Sequence, residues 1–260
     1  MQIIKVPGLN GLGKNLGCRN AGNAILGELK EFKDISALKL EEIHVDNLKL
    51  DEQEKLISEN SKEVLETGEK IIFLGGDHSI SFPIGKSFLD IYGKKDSYLI
   101  VFDAHADCMP AMKEPTHEEW LRALVEFGWK PENIYLIGLR KIELEERRFL
   151  NLRGIKYIEM EKIQDFEIFC DGIMEFANKK NANVYLSIDI DIVDPAFAPS
   201  TGYLEPGGFS AREILYFAKR LALLKSLKAI DIVEIDCEKD KQKENITVKL
   251  GARILQEFLK

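Results

Sequence analysis

The sequence predicts an α/β fold built on a mainly parallel sheet, and three observations lead there. Short apolar runs alternate with longer amphipathic ones along the whole chain. Several of the short runs are apolar at every position, as strands covered on both faces of a parallel sheet must be. The chemistry-bearing residues follow such runs directly, and open α/β sheets bind ligands just beyond the carboxyl ends of their strands.

The strand-like runs cover residues 2–6, 70–74, 98–102, 133–137, 156–158, 184–188 and 229–233. Six of them are five residues long and 156–158 is three, and all are rich in Ile, Val, Leu, Phe and Tyr. Helix-like stretches separate them. Residues 51–67 start at Asp51, an N-cap residue type, and stop before Gly68. Residues 117–127 carry Trp120, Leu121, Leu124 and Val125 and stop at Gly128. Residues 210–224 open on Ser-Ala-Arg-Glu, a capping-box pattern, and continue through Ile214, Leu215, Phe217, Ala218 and Leu221. The charge run 238–245 reads as a solvated loop.

The chain has 260 residues, 45% hydrophobic and 31% charged, with no linker, repeat or low-complexity segment. One domain over 1–260 is the simplest account. The net charge of −8 argues against a broad nucleic-acid or anionic-membrane surface, which needs clustered Lys and Arg. No apolar run approaches the roughly 20 residues of a spanning helix. The first residues lack the apolar core of a signal peptide. Cys18, Cys108, Cys170 and Cys237 lie far apart and form no CxxC pair. Reduced thiols and a cytoplasmic location are therefore expected.

Three clusters carry the chemistry: residues 71–79 (IIFLGGDHS), 99–108 (LIVFDAHADC) and 184–195 (VYLSIDIDIVDP). Asp103, His105 and Asp107 occupy alternate positions, so an extended backbone turns them to one face. Their spacers are the small Ala104 and Ala106. Asp189 and Asp191 repeat the same spacing. His78 follows Gly75-Gly76, where the chain can leave its strand sharply. Together these are four carboxylates and two imidazoles, enough negative charge to balance two divalent cations. Such donors suit manganese, and iron, cobalt, nickel or zinc fit the same set. Two cations roughly 3.5–4 Å apart acidify a water held between them, which makes hydrolysis the expected chemistry. Asp77 reads as a hydrogen-bond partner behind the cluster, Asp194 as the turn former of Asp-Pro, and His44 as a surface or packing residue.

GGDHS, DAHADC and SIDIDIVDPAFAPSTGYLEPGG resemble the three signature motifs of the ureohydrolase family, which includes arginase, agmatinase and formimidoylglutamase. The resemblance runs in order from about residue 70 to 235 and extends more loosely to the start of the chain. It implies a three-layer α/β/α fold around a parallel sheet, and two Mn(2+) ions. His78, Asp103, Asp107 and Asp189 would hold one ion, and Asp103, His105, Asp189 and Asp191 the other, with Asp103 and Asp189 bridging. It implies hydrolysis of a guanidinium or amidine C–N bond. His117 matches the family's proton-shuttling or leaving-group histidine, although His-Glu stands here where many members have His-Gly. Glu234 matches the carboxylate that grips a small cationic guanidino substrate. Trimers or hexamers are the assemblies implied.

The substrate is less legible. The stretch 108–116 lacks the Asn and Ser pattern by which arginases hold the α-amino and α-carboxylate groups. Its Met109, Met112 and Glu114 suit an aliphatic amine, and the EPGG ending at 205–208 is more like agmatinase. Agmatine is the expectation. Lys113 keeps open a substrate with a carboxylate, such as arginine, guanidinobutyrate or formiminoglutamate. A non-catalytic sensor or partner subunit is the reading from another class, and the presence of all six ligand candidates weighs against it.

Overall fold

The computed structural model describes residues 1–260. Its centre is one eight-stranded sheet: β1 (Gln2–Lys5), β2 (Lys39–Glu42), β3 (Ile71–Leu74), β4 (Ser97–Phe102), β5 (Ile134–Leu139), β6 (Lys156–Glu159), β7 (Asn183–Asp189) and β8 (Leu227–Val233). The strand order is β2-β1-β3-β8-β7-β4-β5-β6, and every pairing is parallel.

Alternation within the strands explains the layers. Ile3, Ile72 and Ile100 feed one core, while Ile4, Ile71, Phe73, Leu99 and Val101 feed the other. The first core is closed by α1 (Ala21–Lys30), α6 (Phe166–Ala177), α7 (Ala211–Leu221) and α9 (Ile246–Phe258). The second is closed by α2 (Leu50–Glu66), α3 (Ser81–Tyr92), α4 (Trp120–Phe127) and α5 (Leu144–Arg153). The three-layer α/β/α expectation holds. No helix is long and apolar enough to cross a membrane.

All seven expected strands are present. The eighth, β2, reads KLEE and has no apolar signal, because it is a largely exposed edge strand. The expected helices also form, with shifted starts. α2 begins at Leu50 rather than at a cap on Asp51, which lies in the first turn. α4 begins only at Trp120. Thr116 and Glu119 bond each other's ends, Thr116 N and Oγ1 both donating to the Glu119 carboxylate, and this holds His117 in a turn before the helix. The capping box of α7 is present, Ser210 Oγ accepting from Glu213 N.

The charge run 238–245 departs from expectation. It begins inside a short helix, α8 (Cys237–Asp240), capped by the Asp236 carboxylate, which accepts from Glu238 N and Lys239 N. Asp240 is buried and accepts from Val248 N at 2.8 Å, so it anchors the start of α9. All four cysteines are unpaired and buried.

Four neighbouring strands position the site. β3, β8, β7 and β4 lie side by side, and the segments leaving their carboxyl ends carry His78, Glu234, Asp189 with Asp191, and Asp103 to Asp107. Gly75 and Gly76, with φ of 92° and 77°, make the exit from β3. A Cβ on Gly76 would stand 2.6 Å from the Gly8 carbonyl, so only glycine lets the chain turn back there.

Candidate metal centre

The structure brings the six expected ligands together. His78 Nδ1 lies 3.0 Å from Asp103 Oδ2, 3.0 Å from Asp107 Oδ2 and 3.3 Å from Asp189 Oδ2. His105 Nδ1 lies 2.8 Å from Asp191 Oδ2 and 3.5 Å from Asp103 Oδ1. Two overlapping donor groups result, His78–Asp103–Asp107 and Asp103–His105–Asp191, with Asp103 common to both. Asp189 belongs to neither group and meets the cluster through its contact with His78.

The donors fit divalent cations on two counts. His78 Nδ1 and Asp103 Oδ2 are buried and have no hydrogen-bond partner, although oxygen and nitrogen atoms crowd them. Buried polar atoms are rarely left so unless something else binds them. The four carboxylates also sit too close to be ionised together without counter-charge. Burial and the Asp103 charge push Asp107 up to about 7. Burial, then Asp191 and Asp103, push Asp189 well above the ordinary carboxylate range.

The remaining lone pairs are taken by supports that aim the donors. Asp103 Oδ1 accepts from His105 N at 2.7 Å, Asp189 Oδ1 from Asp191 N at 2.8 Å, and Asp191 Oδ1 from Ala104 N at 3.0 Å. Asp107 is held with φ of 48°, and Trp120 Nε1 donates to its Oδ2 at 2.8 Å. On the far side of His78, Nε2 meets Ser187 Oγ at 2.8 Å, and Ser187 donates on to Asp231 Oδ1 at 2.6 Å. Asp77 does not hydrogen-bond a ligand candidate as expected; it caps the turn that carries His78, accepting from Asn10 N, Ser79 N and Ser79 Oγ. Asp194 forms the expected turn, accepting from Ala196 N and Gly207 N. His44 is exposed.

Glu234 and His117 meet beside the cluster. Glu234 leaves β8 with φ of 65°, an uncommon conformation for a residue with a side chain. Its Oε1 accepts from His78 N at 2.8 Å and lies 3.1 Å from His117 Nδ1, while Oε2 accepts from Asn15 Nδ2. Burial opposes a charge on either group. The pairing wins: it lowers Glu234 below the ordinary range and raises His117 to about 9.

A cavity of about 380 Å³ opens over these groups. Met109 lines it, as expected, but Met112 and Glu114 do not, and Lys113 is exposed and paired with Glu114 at 2.5 Å. The loop after Pro110 swings outward, so its residues do not form the far end of the cavity. That end is built from Lys14, Glu118, Lys141, Glu143 and Tyr203, none of which sequence reasoning had singled out. Arg140 was missed too: it donates to the carbonyls of Asp191, Ile192 and Glu205 and so braces a ligand turn. Its signal was available, since Arg140 directly follows β5. Asn15 and Tyr203 carried none, because they arrive from loops distant in sequence.

Comparison with known proteins agrees with this geometry. The chain matches the arginase family over residues 10–260. It is 31% identical over 204 residues to the arginase of Plasmodium berghei, a match covering 70% of this chain and 56% of that longer protein. It is 30% identical over 207 residues to the agmatinase of Bacillus subtilis, covering 78% and 68% of the two chains. In fold it superposes on the proclavaminate amidino hydrolase of Streptomyces clavuligerus with a TM-score of 0.88 at 23% identity, over 99% of this chain and 89% of that one. The chain belongs to the arginase family, whose members are hydrolases acting on amidino C–N bonds.

Proposed function

We propose that this chain hydrolyses the guanidino C–N bond of agmatine, giving putrescine and urea, at a centre of two divalent cations, manganese first among them. The observation that carries this reading is the placement of Glu234. A buried carboxylate is tied to the backbone of one ligand candidate, His78, and paired with His117 at the edge of the donor cluster.

His78, Asp103, Asp107 and Asp189 would hold one cation and Asp103, His105, Asp189 and Asp191 the other. Bound there, the cations supply an acidified water and compensate negative charge as it develops. Glu234 offers carboxylate oxygens to the planar guanidinium, a geometry that suits paired N–H donors. Its fixed contacts with His78 N and Asn15 Nδ2 hold that carboxylate in register with the donor cluster, which positions the substrate carbon. His117, raised to about 9, carries a proton at neutral pH and can deliver it to the departing amine. Its Nε2 is buried without a partner and so is free to exchange that proton.

Agmatine is favoured over arginine by the stretch after Asp107, which brings no cationic side chain to the cavity. The stretch after Asp107 brings only Met109 to the wall, and Lys113 faces solvent. A substrate ending in a carboxylate is the second reading, favoured by Lys141, which is half-exposed at the cavity and only 4.0 Å from its nearest carboxylate, Glu205.

The test is a product screen of the metal-loaded protein with agmatine, arginine, guanidinobutyrate and formiminoglutamate, reading urea for the first three and formamide for the last. Agmatine turning over fastest supports the proposal. Silence on all four with two metals bound would replace it by a sensor or partner-subunit role.

A further inference from the structure

At the mouth of the cavity Lys14 lies against Tyr203 in an unusual manner. Its Nζ is 4.1 Å from the centroid of the Tyr203 ring and donates to Tyr203 Oη at 2.6 Å. Tyr203 Oη in turn donates to Glu118 Oε1 at 2.8 Å. An aromatic face, a phenol oxygen and a carboxylate behind it are the elements that bind an ammonium ion. Lys14 itself is exposed and forms no salt bridge with the carboxylates of the metal cluster.

The Tyr203 ring also faces the reacting end of the cavity. It stands 5.5 Å from the ring of His105 and 5.8 Å from that of His117. An extended chain advances roughly 3.3–3.6 Å over three bonds, so the five bonds from a guanidino nitrogen to a terminal amine span about 6 Å. A guanidinium at Glu234 and an ammonium on Tyr203 are therefore within reach of one short aliphatic diamine skeleton.

We propose that Tyr203 and Glu118 form a seat for the distal ammonium of the substrate, and that Lys14 fills this seat as an internal stand-in until the substrate displaces it. The inference rests on the guanidino-hydrolase reading and narrows its substrate class to guanidino compounds that end in an amine. A terminal carboxylate in the same place would face Glu118 and gain nothing from the ring; Lys141, whose Nζ lies 5.8 Å from the ring centroid, is the group that would favour it. Lys14 acts as a competitor whose strength sets how readily the tail is accepted.

The experiment titrates 1,4-diaminobutane into the metal-loaded protein by calorimetry. This probe needs no turnover, so its result stands apart from the activity screen. Lys14→Ala is expected to bind the diamine about threefold tighter, because the competing cation is gone. Glu118→Gln is expected to bind it about tenfold more weakly. Tyr203→Phe keeps the ring and loses the hydroxyl link, and should fall between Glu118→Gln and the parent. The KM for agmatine should move in the same order as these affinities. Tighter binding in Lys14→Ala together with weaker binding in Glu118→Gln supports the seat. Unchanged or weaker binding in Lys14→Ala, or unchanged binding in Glu118→Gln, overturns it, as does a rise in KM for guanidinobutyrate confined to Lys14→Ala. A chain that hydrolyses no guanidino compound yet shows the expected diamine affinities would lose the hydrolase reading and keep the ammonium seat.

Discussion

Trp120 donates its indole N–H to Asp107 while its ring lies 4.6 Å from that of His78. One fully buried side chain thus steadies two candidate ligands from different strands, the first by a hydrogen bond and the second by contact. Supports of this kind typically carry 10–100-fold in metal affinity. Trp120→Phe retains an aromatic ring and removes the donor. Calorimetric titration with Mn(2+) should then show one of two sites weakened by about tenfold or more, with the His105 site preserved. Equal loss at both sites would mean that Trp120 acts through the fold as a whole.

Glu234 makes a separable contribution, because it contacts ligand backbone but is not placed as a ligand. Glu234→Gln keeps the size and removes the charge that a guanidinium needs. A charge-assisted pair is worth roughly 1.5–3 kcal/mol, so kcat/KM should drop by about 10- to 100-fold or more. Metal stoichiometry should stay at two, measured on the same sample. Loss of a metal in this variant would reassign Glu234 to the metal centre.

How much of this arrangement could be read from the chain depended on the range of the interaction. The ligand candidates were legible, because Asp103, His105 and Asp107 and also Asp189 and Asp191 follow strands at alternate positions, while their grouping was implied by the family resemblance. The backbone that groups them is not extended, since Asp107 has φ of 48° and residues 190–192 form a 3-10 turn. Two of the helices that went unread have weak local signals: α3 holds Pro83 and Gly85, both poor helix formers, and half the residues of α5 are charged, which blurs its apolar face. Gly85 is there for packing, since a Cβ would stand 2.7 Å from Leu124. The supports were hidden for the opposite reason. Asn15 reaches Glu234 across 219 positions, and Tyr203 reaches Glu118 across 85. Pairings so distant leave no period or spacing to detect.

Removing the metals should make stability fall as pH rises. Burial and the neighbouring carboxylates raise Asp107 to about 7 and push Asp189 and Asp191 upward. Burial opposes charge on the histidines, but the carboxylates around them raise His105 to about 12 and His78 well above 6.5. All these shifts are upward, so the metal-free folded chain binds more protons than the unfolded one. The carboxylates near Asp107 cost stability as pH climbs from their unfolded value of 3.8 through about 7. The histidines contribute fully below 6.5 and lose that contribution toward their raised folded values. Asp103 goes the other way, held low by His105 and His78 against the effect of burial, and it matters only below its unfolded value of 3.8. Thermal midpoints of chelated and Mn(2+)-loaded protein between pH 5.5 and 8.5 check this. The gap between them should widen with pH, and a constant gap would rule out the carboxylate and histidine protons as its source.

Asp231 gives the last prediction. This fully buried carboxylate accepts from Ser81 Oγ and Ser187 Oγ, each at 2.6 Å, and from Tyr185 Oη. Only one of these donors continues to the site, since Ser187 Oγ also meets His78 Nε2. The two branches should therefore separate under mutation. Tyr185→Phe removes one donor from a buried carboxyl group and should cost about 1–3 kcal/mol of stability, read from urea unfolding, with little change in metal binding. Ser187→Ala removes a donor of the same kind but also frees the far nitrogen of His78. It should cost a similar amount of stability and in addition weaken the His78 site by about tenfold. If both variants lose stability alike and metal affinity not at all, Ser187 serves the core of the sheet rather than the orientation of His78.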